Sequence, residues 1–144
     1  MAKDRPDPRD DYVLDRQVGF LLRRATQRHL AIFASHIPGL TPTQFAALAK
    51  LCELGPVSQN ALGRATSMDA ATIKGVVDRL RAKGLVASSR DGADRRRILL
   101  APTEAGRAAF EAARADAHRI TAETLAPLAS DEREAFVALL ARLG

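Results

Sequence analysis

At 144 residues the chain suits a single domain, and a 47% share of hydrophobic residues excludes an intrinsically disordered protein. No apolar run approaches the roughly 20 residues that cross a bilayer, and one cysteine cannot form an internal disulfide. The net charge of +5 is concentrated: residues 58–97 hold nine Lys/Arg and four Asp, while the remainder carries thirteen charges of each sign, so a basic centre sits in a neutral frame and reads as either a polyanion-binding surface or a solvated face.

Residues 1–10 carry two prolines and six charges without apolar periodicity, which predicts a mobile arm with no secretory leader and a cytoplasmic protein. From Asp11 to His36, Leu14, Val18, Leu21, Leu22, Ala25, Ile32 and Phe33 recur at helical spacing, and Pro38-Gly39 stops that helix. Thr41-Pro42-Thr43-Gln44 opens the next with an N-cap, a proline at N1 and a capping box; Gly55-Pro56 ends it. Ser58 caps a short helix, Gln59 to Ala65, with Ala61, Leu62 and Ala65 inward. After Thr66-Ser67-Met68, either Ser67 or Asp69 caps a longer helix to about Lys83, with Ile73, Val76, Val77 and Leu80 inward and Gly84 as C-cap.

Two short strands follow, Leu85–Ser88 and Ile98–Leu100, joined by the charged turn Arg90-Asp91-Gly92-Ala93-Asp94-Arg95-Arg96. Thr103 caps a long helix to about Ala126. A last amphipathic helix from Asp131 to Leu143 is expected to bury Phe136, Leu139 and Leu140. The order predicts a mainly α fold with a small β-hairpin: a winged helix-turn-helix lobe over about 41–101, flanked by dimerisation helices at about 11–36 and 103–143. The terminal helices offer more apolar surface than one domain of this size covers, which predicts a homodimer.

Leu80-Arg81-Ala82-Lys83-Gly84-Leu85-Val86, Asp94-Arg95-Arg96 and Thr103-Glu104-Ala105-Gly106 together resemble the multiple antibiotic resistance regulator (MarR) family, and the element order is similar from about Tyr12 to Leu143. The segments Gln17–Arg24 and Met68–Gly75 resemble family members that regulate aromatic-acid degradation. The chain departs from the family pattern at Ser88, Lys74-Gly75 and Pro102. The resemblance implies a homodimeric regulator with intertwined terminal helices, released from DNA by a small, often aromatic, ligand. It also points to Arg96 as the minor-groove arginine of the wing.

On that reading the candidate DNA contacts are Ser58, Gln59 and Asn60 at one helix start, and Ala71, Thr72, Lys74 and Gly75 in the recognition helix. Arg95 and Arg96 join them at the wing tip, with Asp94 supporting the wing through an ion pair. Small and polar residues let a helix approach the roughly 12 Å-wide major groove, and an arginine suits the electronegative minor groove. Gly75 inside a helix makes most sense where a side chain would collide with DNA. Phe20, Arg24, Arg28 and His29 are the candidate effector contacts, since guanidinium groups bind carboxylate and an aromatic side chain covers a ring.

The expected partners are double-stranded operator DNA, a second copy of the chain, and an aromatic carboxylate or its thioester. Neither a membrane partner nor a cofactor is expected. Cys52 reads as a buried structural thiol. His29 and His36 are two turns apart, too far to share one ion, so no metal site is expected. No nucleophile elbow, phosphate loop or paired carboxylates argue for catalysis. Two alternatives remain beside the repressor: a constitutive DNA-binding protein without a ligand, and a winged-helix module that binds protein rather than DNA.

Overall fold

The structure, a computed structural model, describes residues 11–144; the expected N-terminal arm lies outside them. A 3-10 turn, Leu14–Arg16, precedes helix α1, Val18–His36. The single helix expected from Asp11 is therefore broken. Gln17 is extended, at φ −82° and ψ 135°, its N–H bonding back to Leu14 O and its side-chain amide to Val13 O.

Helix α2, Pro42–Leu54, starts at the expected capping box: Thr41 Oγ1 accepts from Gln44 N at 3.3 Å, and Gln44 Oε1 accepts from Thr41 N at 3.3 Å. Buried Gln44 also accepts from Lys83 Nζ at 3.0 Å, and that lysine donates to Gly39 O at 2.8 Å. Lys83 thus ties the entry of α2 to the end of a helix forty residues on.

Helix α3, Gln59–Ala65, is capped by Ser58. Its inward face is Leu62 and Gly63 rather than Ala65, which is exposed. Gly63 meets the following helix closely, for a Cβ there would lie 3.1 Å from Met68 O and 3.2 Å from Ile73 Cγ2. The turn passes through Ser67 at φ +55°. Asp69, not Ser67, caps helix α4, Ala70–Ala82, accepting from Thr72 N at 2.7 Å.

The hairpin is longer than expected. Strand β1, Val86–Arg90, runs antiparallel to β2, Ile98–Pro102, in a register from Val86↔Pro102 to Arg90↔Ile98. Val57 adds a bridge to Leu100 on the other edge of β2. Helix α5, Glu104–Thr124, follows at once, and helix α6, Ser130–Ala141, closes the chain.

One core packs α2, α3 and α4 against the base of the hairpin, through Leu48, Leu51, Leu62, Ile73, Val77, Leu80 and Leu100. A second joins α1 to α5 through Ile32, Phe33, Ile37, Ala113 and Ile120. Phe45 links them, its ring centroid 6.1 Å from Phe33 and 5.9 Å from Phe110. The expectation that α6 buries Phe136, Leu139 and Leu140 is not met within one chain: they are 41%, 57% and 43% exposed, as are Leu14, Val18, Leu21 and Leu22 to similar degree.

The start of α5 is wedged against the exit of α4. Gly84 takes φ +73°, which favours glycine. Thr103 donates its N–H to Leu85 O at 3.0 Å and its hydroxyl to Gly84 O at 2.7 Å, while accepting from Gly106 N to cap α5. A Cβ on Gly106 would overlap the Leu85 carbonyl oxygen, backbone that cannot yield cheaply. Gly106→Ala is therefore expected to cost about 3 kcal/mol or more. Gly75→Ala, where a Cβ meets nothing nearer than Arg79 Nη1 at 3.9 Å, is expected to gain about 0.8–1 kcal/mol through helix propensity. Urea unfolding at matched protein concentration measures both.

Candidate nucleic-acid interface

Helix α4 buries Ile73, Val76, Val77 and Leu80 and turns its other face outward. Ala71, Thr72 and Lys74 are exposed on that face and Gly75 is half-buried. The open space above Gly75 shows that no packing inside the chain demands glycine there. Lys74 Nζ rests on Asp78 Oδ2 at 2.8 Å. The Asp69 carboxyl is held below the usual carboxylate range, first by the Thr72 backbone N–H it accepts. Its contribution to stability is thus fully present above the usual carboxylate pKa and is lost as pH falls through the depressed one.

The Ser58 hydroxyl accepts from Ala61 N at 3.2 Å, so it is spent on its cap; Gln59 is half-buried and Asn60 exposed. Arg64 lies one turn beyond Asn60 and is exposed. Asn60, Gly63, Arg64, Met68, Ala70 and Ile73 line a hollow of about 200 Å³ between α3 and the start of α4. Arg64 is absent from the sequence-derived contacts. Its signal was membership of the basic stretch and a spacing of four from Asn60.

The wing tip is shaped by its own backbone. Asp91 N donates to Arg97 O at 2.8 Å, and Arg97 N donates to Asp94 O at 3.0 Å. Asp94 supports the wing by accepting Arg96 N at 3.0 Å, and among the described residues it forms no ion pair of the kind expected. A short carboxylate two residues back reaches a turn N–H more readily than a mobile guanidinium. Arg90 adds a brace from Nη1 to Arg95 O at 2.7 Å. Arg95 and Arg96 are exposed, with no acidic partner among the described residues.

The four candidate effector residues fall into two pairs, Phe20 with Arg24, and Arg28 with His29 at Thr124. Phe20 carries the guanidinium groups of Arg23 and Arg24 over its ring, at 5.4 and 5.8 Å from the centroid. Arg28 donates to Thr124 O at 2.6 Å and Glu123 O at 2.8 Å, completing the C-terminal carbonyls of α5. His29 Nδ1 pairs with Thr124 Oγ1 at 2.9 Å, and His36 Nε2 with Glu123 Oε2 at 2.6 Å. His29 borders a cavity of about 320 Å³ between α1, α5 and α6, otherwise lined by Leu22, Leu125, Phe136 and Leu140 among others.

A larger open cleft of about 570 Å³ lies between α2 and α5, with Cys52, Arg107 and Phe110 on its walls. Cys52 is half-buried rather than buried, and burial still pushes its thiol pKa up. No three potential metal ligands cluster among the described residues, and no described helix is long and apolar enough to cross a membrane.

A helix pair with a tight turn, an outward face of small and polar residues, and a basic hairpin beside it define a winged helix-turn-helix DNA-binding protein. The sequence profile of the MarR family matches residues 39–97. The HTH-type transcriptional repressor NicR of Pseudomonas putida is 42% identical over 134 residues, 92% of this chain and 85% of NicR. A probable transcriptional regulator from Pseudomonas aeruginosa is 55% identical and superimposes with a TM-score of 0.89, covering 92% of this chain and all of that one. Bordetella bronchiseptica BpsR is 45% identical, with a TM-score of 0.87 over 92% of this chain and 96% of its own. The chain belongs to the MarR family of transcriptional regulators. It is a DNA-binding regulator, not an enzyme.

Arg28→Met keeps the aliphatic stem and removes both bonds to the α5 terminus. Because the site is exposed, a loss of about 1 kcal/mol is expected, below the roughly 1.5–3 kcal/mol of hydrogen bonds to charged groups. Chemical unfolding measures it, with circular dichroism confirming that helix content is retained.

Proposed function

We propose that the protein is a homodimeric cytoplasmic repressor that binds a pseudo-palindromic operator and releases it when a small aromatic carboxylic acid binds. The observation that carries this reading is the 45% identity, over 92% of the chain, to BpsR, a protein whose structure concerns regulation of DNA binding by 6-hydroxynicotinic acid. The DNA contacts on this reading are Ala71, Thr72, Lys74 and Gly75 in the major groove. Asn60, with the cap of Ser58 and with Gln59, faces phosphate, and Arg95 and Arg96 face the minor groove.

The dimer is supported by the apolar side chains left exposed on α1, on α6 and just beyond it, among them Val18 at 66%, Leu139 at 57% and Leu143 at 73%. Two-fold symmetry would set the two α4 helices roughly 34–36 Å apart, one turn of DNA. The cavity beside His29 is near the lower end of the roughly 300–1,000 Å³ typical of ligand sites.

Sedimentation at micromolar concentration is expected to show a dimer; a stable folded monomer would overturn that part of the reading. Arg96→Ala should weaken operator binding by about 1–3 kcal/mol, as for a well-placed specific contact, and wild-type affinity at several salt concentrations would remove the wing from the interface. Titration with 6-hydroxynicotinic acid and related aromatic acids should lower DNA affinity at least about tenfold, a coupling of about 1.4 kcal/mol. Constant affinity across that series would leave the constitutive alternative.

A further inference from the structure

The four acids inside the basic stretch 58–97 are employed unequally. Asp69, Asp91 and Asp94 each accept a backbone N–H, from Thr72, Ala93 and Arg96, and so shape a helix cap and the wing turn. Asp78 stands in the middle of α4, the sole acid of that helix. Its carboxylate faces cations: Oδ2 takes Lys74 Nζ at 2.8 Å, and Oδ1 lies 3.5 Å from Arg81 Nη1. Hydrogen bonding from Lys74, aided by the charges of Lys74 and Arg81, holds this carboxyl below the usual range, so it is charged wherever DNA binds.

Helix stability does not account for the pair. An exposed i,i+4 ion pair adds little, and lysine N-terminal to the acid is the weaker orientation. On a DNA-facing helix the pair has a cost, since the carboxylate occupies Lys74 and holds its charge back from phosphate. Every DNA sequence meets that cost. A base edge that offers Lys74 a better acceptor, such as guanine O6 and N7, recovers it, whereas a backbone phosphate alone does so only in part.

We propose that Asp78 is a positioning residue for DNA recognition, which holds Lys74 back from phosphates and yields it to a matching base, so that specificity is raised at the expense of affinity. This rests on the reading of α4 as the recognition helix with Lys74 at the DNA.

The test uses two duplexes and the full-length protein. One duplex is selected by the wild type from a random-sequence pool; the other is its scramble, of equal length and base composition. Asp78→Asn is expected to tighten the scrambled duplex by about three- to tenfold at low salt and to steepen its log–log salt slope by about 0.9, one more phosphate being neutralised. The selected duplex should change less, so the specificity ratio falls at least about threefold. Asp78→Glu, which keeps the carboxylate, should restore the ratio. In a Lys74→Ala background, Asp78→Asn should lose its effect.

An unchanged ratio in Asp78→Asn, while Lys74→Ala still weakens the selected duplex, overturns the proposal alone. An Asp78→Asn effect that persists without Lys74 also overturns it, because direct repulsion then suffices. A Lys74→Ala variant that binds both duplexes like wild type overturns the underlying reading of α4. Thermal unfolding of each variant, expected to match wild type, separates these outcomes from loss of fold.

Discussion

Helix α5 begins against the backbone that leaves α4, and this joint organises the rest of the molecule. Thr103 holds the carbonyls of Gly84 and Leu85, and Gly106 lets the first turn of α5 press onto Leu85 where no side chain would fit. The joint fixes where the hairpin leaves the DNA-binding lobe. It also fixes the direction of α5, which packs on α1 and α2 and so spans both cores. Lys83-Gly84-Leu85 and Thr103-Glu104-Ala105-Gly106 are therefore two halves of one contact, nearly twenty residues apart in sequence.

At its other end, α5 is held by α1. Arg28 completes its last carbonyls, and His29 and His36 take the side chains of Thr124 and Glu123. Arg133 of α6 donates to Leu128 O at 2.9 Å in the intervening turn. Helix α6 is thus set in direction by polar contacts at its root, while its apolar side chains remain uncovered. In the homodimer proposed above, this arm, fixed at its base and apolar along its length, would be the element that packs against the second copy.

Local chemistry was legible where a few neighbouring residues decide the outcome. Thr41, Ser58, Asp69 and Thr103 all cap as their residue types require, and Gly84 adopts the positive φ expected of it. The periodicity of Ile73, Val76, Val77 and Leu80 gave the inner face of α4, and hence which residues it turns outward. What was missed depends on distant partners or on a break without punctuation. Gln17 interrupts the first helix with neither glycine nor proline beside it. Arg28 finds its acceptors 95 and 96 residues away. Phe136, Leu139 and Leu140 follow a pattern of burial that does not distinguish packing within a chain from packing between chains. Gly106 was visible as part of a motif, but its reason, the Leu85 carbonyl, required the fold.

The central claim is that two copies of this lobe grip one operator symmetrically, with each wing tip in the minor groove. Attaching an iron chelate to Ala93→Cys in a Cys52→Ser background, and mapping radical cleavage along an operator duplex selected by the wild type, tests it most directly. The account predicts two clusters of minor-groove cleavage, related by the operator dyad and flanking the centre. A single cluster, or none on a duplex that is demonstrably bound, would contradict it.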